Sequence, residues 1–206
     1  MKRLLFSFAL IVTAAFAQYK VEPASPLPSD LAAPFASGMG AGYKIVGPNG
    51  VYCEIWFKNA LPKGEKVTED AVAFPTIPQG SLVGAIRFPG PAADRRGQPL
   101  KPGLYTLRYS LQPNNGDHLG AAPQRDFLVL IPVADDKDPK TVPVYDELMA
   151  MSKKASGTPH PAVLSLEPAS GSQFPSMNKE GDKDWALTVK IGDQPISVIL
   201  IGKVEA

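Results

Sequence analysis

Leu100-Lys101-Pro102-Gly103-Leu104-Tyr105-Thr106-Leu107-Arg108-Tyr109-Ser110-Leu111 is the stretch that settles the fold class. Proline fixes one backbone angle and glycine supplies a permissive one, so Lys101-Pro102-Gly103 reads as a turn. Beyond it Tyr105, Leu107, Tyr109 and Leu111 share one face, opposite Thr106, Arg108 and Ser110. A period of two over that length is the signature of a strand packed on one side.

The same reading extends in both directions. Val51, Cys53, Ile55 and Phe57 alternate with Tyr52, Glu54, Trp56 and Lys58, and Pro48-Asn49-Gly50 joins this run to Tyr43–Val46 as a hairpin, because Asn-Gly tolerates positive backbone angles. Ser81–Phe88 carries Leu82, Ile86 and Phe88 on a further strand. Phe127–Ile131 is continuously apolar, as in a central strand covered on both faces, and Pro132 stops it. Asp184–Ile191 and Pro195–Val204 flank Gly192-Asp193-Gln194 as a closing hairpin, and Ala162–Leu166 is a weaker strand signal. A single helix is predicted near 143–156: Pro143, Asp146 and Glu147 suit its start, Lys153 and Lys154 its end, and Val144, Leu148 and Met151 form its stripe. These elements predict an all-β protein, an antiparallel β-sandwich of about seven to eight strands with one inserted helix, in a single domain over 43–206.

Two segments precede that domain. Residues 18–42 place Pro23, Pro26, Pro28 and Pro34 among small residues and read as a Pro-rich linker or arm hugging an edge, with no packed element before Tyr43. Residues 1–17 begin with Lys2 and Arg3, continue through the apolar run Leu4–Phe16 and end in Ala15-Phe16-Ala17, the pattern of a cleaved signal peptide. The run falls short of the ~20 residues needed to cross a bilayer. The expectation is an exported protein, periplasmic or secreted, with no membrane span after cleavage.

Composition narrows the function classes. Proline and glycine together supply 40 of 206 residues, well above the roughly 12% of average proteins, so the chain is rich in turns. With 44% hydrophobic and 20% charged residues it is neither disordered nor a polytopic membrane protein. Lys2 and Arg3 are the only charges in 1–17, so the remainder holds 19 basic against 20 acidic side chains, a net charge of −1. Phosphate binding needs a basic surplus, and no nucleic-acid partner is expected. Cys53 is the only cysteine, which excludes an internal disulfide and predicts a buried thiol.

Leu100–Leu107 resembles the turn leading into a strand in transthyretin-like and carboxypeptidase-regulatory-like sandwich modules. More widely, this turn, the Trp56 strand and the Trp185 strand are similar to uncharacterised exported bacterial β-sandwich domains. The resemblance implies a sandwich fold and carries no catalytic residue with it.

Chemistry concentrates in Asn114-Asn115-Gly116-Asp117-His118-Leu119-Gly120 and the nearby Arg125-Asp126. Asp117, His118 and Asp126 offer metal ligands, or a histidine base oriented by a carboxylate, and Arg125 offers a grip on an anion. The competing reading makes Asn-Gly-Asp a turn, has His118 cap a carbonyl, and lets Arg125 and Asp126 pin the loop as a pair. One histidine and two acids give no diagnostic spacing, so the metal stays undetermined and no cofactor is expected. His160, between two prolines, reads as exposed; Asp135-Asp136-Lys137-Asp138-Pro139 lacks the glycine and terminal glutamate of a calcium loop and reads as a solvated charge cluster. Trp56 and Trp185 fit core packing or a sugar-stacking platform. No nucleophile elbow, zinc-protease helix or phosphate loop is present in the sequence. The leading expectation is a non-enzymatic exported module that binds an envelope protein or glycan through loops at one end; the alternative is a metal-binding module or metal-assisted hydrolase centred on the 114–126 loop.

Overall fold

The period-two segments all fold as strands. A computed structural model describes residues 18–114, 125–169 and 171–202. In chain order the elements are β1 (Lys20–Pro23), α1 (Ala33–Ala36), β2 (Met39–Gly47), β3 (Gly50–Lys58), β4 (Leu82–Phe88), β5 (Ala92–Ala93), β6 (Pro99–Leu100), β7 (Gly103–Leu111), β8 (Asp126–Pro132), α2 (Tyr145–Ser156), β9 (Val163–Pro168), β10 (Ser176–Glu180), β11 (Asp184–Ile191) and β12 (Gln194–Ile201). Ten strands form one antiparallel sheet in the order β1-β2-β3-β4-β7-β8-β9-β12-β11-β10, and β5 and β6 make a small separate ribbon.

The expected class, all-β and antiparallel, is what the chain adopts. Its arrangement differs from a sandwich of seven to eight strands with one helix. β9 pairs with β8 through Val163–Ser165 and with β12 through Leu166–Pro168. One strand thus turns the corner between what would otherwise be two layers. The outer strands β1 and β10 come alongside each other without hydrogen bonding, and Tyr19 packs edge-on to Trp185 at 5.4 Å beside that seam. The sheet is a nearly closed barrel.

Inward-facing Ile55, Ile86, Leu107, Leu128, Leu164, Leu187 and Val198 meet in one core, and removing such apolar area from water is the main stabilising term. Cys53 belongs to this core, fully buried, and burial pushes its thiol pKa far up. The outside of the sheet is covered in two places. Leu31 and Phe35 pack on Trp56, Leu82, Ala85 and Leu104. Leu148 and Met149 of α2 pack on Phe127, Val129 and Ile131 of β8. The helix starts where the Glu147 carboxylate accepts the Val144 N–H at 3.2 Å and ends at Gly157, whose φ of 66° only glycine adopts at low cost.

The Pro-rich segment 18–42 contributes more than an arm: it forms β1, α1 and the beginning of β2. Prolines confine β1 to the sheet edge, where a missing donor costs nothing, and the arm is fastened by Ala24 N–H to Gly42 O at 3.0 Å and by Trp56 Nε1–H to Ser25 O at 3.2 Å. Gly42 has no side chain because the Trp56 ring fills that place, 2.2 Å from where a Cβ would sit.

Candidate functional site

Asp117 and His118 lie outside the described residues. Arg125 and Asp126 are described, and strand alternation sends their side chains apart. The Asp126 carboxylate is fully buried and accepts the backbone N–H groups of Ala73 at 2.7 Å and Phe74 at 3.0 Å and the Tyr109 hydroxyl at 2.7 Å. Burial first, then the Asp126 carboxylate, push the Tyr109 phenol pKa far up. Arg125 donates to Gln112 O at 2.9 Å, Asp70 O at 2.8 Å and Glu69 Oε2 at 2.7 Å. Both residues therefore fasten the 69–74 segment to β8. With three donors in place, the Asp126 oxygens are committed to protein groups. Among the described residues no three His, Cys, Asp or Glu side chains come close enough to hold a metal.

His160 is exposed, as its flanking prolines predict. Trp56 is a core residue at 1% exposure, and Trp185 is half-buried against Tyr19.

The acidic run at 135–138 departs from a solvated cluster. Asp136 is buried and forms a two-point ion pair with Arg108: Nε to Oδ2 and Nη2 to Oδ1, both 2.7 Å. Thr106 Oγ1 donates to the same Oδ2 at 2.6 Å. Arg108 then donates to three carbonyls, Gly80, Thr141 and Asp138, each at 2.7 Å, so all five guanidinium N–H groups are used. This explains why Thr106 and Arg108, which sequence alternation places opposite the core, are buried: the chain after β8 lies over them, while Ser110 on the same face accepts from Gln79 Nε2 at 2.8 Å. Gly80, at φ +80°, lets it come close, since a Cβ there would lie 2.4 Å from Pro143 O.

Above this clamp runs a groove of about 800 Å³. One wall is Pro34 and Ser37 at the end of α1, with Lys58 and Pro62; the floor is Pro78, Ser81 and Leu82; the other wall is Asp138 to Val142. The Lys58 ammonium donates to the Ser37 carbonyl. Beyond Val142 a second hollow of about 550 Å³ reaches Glu147 and Met151 of α2. Val142, which lines both hollows, and the nearby Val144 are 59% and 61% exposed. Sequence reasoning did not find the groove, because it joins four segments distant along the chain. The one available signal was Arg108, a charge in the middle of the best strand.

The chain matches no protein-family model, no curated protein and no solved structure.

Proposed function

We propose that this is an exported, non-enzymatic binding module that engages another envelope component, protein or glycan, in the groove between α1 and the 138–142 segment. The carrying observation is an open groove whose base is locked: Arg108 ties Gly80, Asp138 and Thr141 together from below, so the binding surface is formed before the partner arrives, which lowers the ordering cost of binding. Val142, exposed on the groove lining, adds the apolar contact such surfaces use. The buried charges that hold the groove's base, Arg108 and Asp136, are spent on structural bonds, and the ionisable groups that line it are two lysines and one aspartate, a set that favours binding over catalysis as its role. The metal-centred alternative would rest on Asp117 and His118 with Asp126, whose oxygens already hold three donors. A photo-crosslinking side chain at Val142 tests the reading in cells of the source organism. It should trap a discrete envelope partner, and the same group at Lys190, on β11, should not. Equal trapping at both positions, or hydrolysis of generic ester, glycoside or peptide substrates that is lost in His118→Ala, rejects it.

A further inference from the structure

The geometry points to an extended acidic peptide segment of a protein partner as the occupant of the groove, an inference that rests on the groove being the binding surface. Its charges are unbalanced toward the positive: Lys58 and Lys140 line it against the single acid Asp138. That acid is turned into its own loop, where Oδ1 accepts the Lys140 backbone N–H at 2.9 Å. The Lys140 ammonium has no partner among the described residues. A carboxylate beside Lys140 would therefore meet an ammonium with no acid against it, and Lys58, whose ammonium holds only the neutral Ser37 carbonyl, adds to the same positive bias, which is how complementary surfaces choose partners.

Ser81 supplies the second observation. It is only 5% exposed, it lines the groove floor, and its hydroxyl has no hydrogen-bond partner among the described residues. A hydroxyl on the groove lining that no protein group occupies is free to pair with an amide or carbonyl of a bound backbone. Apart from Ser37 and Thr141 the rest of the lining is aliphatic, with Pro34, Pro62, Pro78, Leu82, Pro139 and Val142. No aromatic ring is among the lining residues. Sugars are held by stacking on aromatic faces, so this chemistry favours peptide over glycan. Prolines have no N–H to offer, so the peptide is held by side-chain packing and charge and not as an added strand.

The test is selection of a phage-displayed library of random dodecapeptides on the purified protein, followed by solution binding of the enriched peptides. Enrichment of Asp and Glu beside aliphatic residues or proline is expected, with amide NMR shifts confined to 58–62, 78–82 and 138–142. Lys140→Glu should weaken binding by roughly tenfold, as should changing the peptide's acids to amides, while Lys190→Glu leaves it unchanged. Neutral or basic enriched peptides, or binding indifferent to Lys140→Glu, overturn the acidic assignment; the groove itself stands if the same amides shift. Polygalacturonate that moves those amides when no peptide does makes the ligand an acidic glycan and sinks the peptide alone. Shifts confined elsewhere, or no binder of either kind, sink both this inference and the reading it rests on.

Discussion

Asp126 shows what a single carboxylate does when three donors converge on it at the end of a strand. An asparagine there keeps one acceptor but turns an N–H₂ toward a backbone N–H, so Asp126→Asn should lower stability by about 2–3 kcal/mol, the range for hydrogen bonds to a buried charge. A loss of unfolding free energy under about 0.5 kcal/mol in denaturant titrations would refute this. The sequence reading has Asp126 and Arg125 pin the 114–126 loop as a pair, and the bonds they make run to a different segment. It paired them with each other, whereas neighbours on a strand point to opposite sides, and the 69–74 segment that receives both is more than fifty residues away. Glu167 carries the pH dependence. Burial first, and then the neighbouring Glu180 carboxylate, raise its pKa above the ordinary 4.5, and its Oε1 is buried without a partner. Because the folded pKa is raised, the penalty is absent where both states are protonated, grows as pH rises past 4.5 and is complete above the folded value. Glu167→Gln should therefore raise the melting temperature at pH 7 and give no gain near pH 3.5. An equal gain at both values would show that charge is not the cause.

Among the elements, those with strong alternation were legible and the edge elements were not. β3, β7 and β11 fall where period-two patterns put them. β10, with sequence Ser-Met-Asn-Lys-Glu, has too few apolar residues to signal a strand, and it forms because Thr188 and its neighbours on β11 offer a ladder. β1 and α1 were hidden by prolines, which forbid a central strand but allow an edge one. The 133–143 segment was hidden differently: its fixing charge, Asp136, looks like any surface acid until Arg108 is seen beneath it. Arg108→Lys tests that fixation. Lysine keeps the charge but loses the fork that meets Asp136 and the three carbonyls, so the segment should loosen, with a stability loss of about 3 kcal/mol, as for a broken buried pair. Amide exchange should quicken over 138–142 more than over β11. Uniform quickening across both would mean that Arg108 supports the whole fold and not the groove wall in particular.

At the scale of the whole molecule, the sequence conveyed the class but not the closure. Alternation says which face of a strand is buried, and it is silent on whether two layers are separate or joined, because that depends on one corner strand and on how β9 divides its pairing. Closure also depends on the N-terminal arm. β1 extends the sheet to within reach of β10, and Leu31 and Phe35 cover Trp56 on the outside. Burying a Leu or Phe side chain is worth about 1.5–3 kcal/mol, so the two together contribute roughly 4 kcal/mol before any ladder bond is counted. That is a large part of the 5–15 kcal/mol typical of a whole domain. A chain beginning at Gly38 should consequently still fold, around the core that the other strands share, but melt roughly 8–16 °C lower at this size, and bind a hydrophobic dye at the uncovered Trp56 surface. Phe35→Ala should show about half of the shift with no loss of β1. If the shortened chain melts within ~3 °C of the full one, the arm lies on the barrel without holding it closed. If it does not fold at all while Phe35→Ala behaves as expected, the edge strand and not the apolar cover carries the closure.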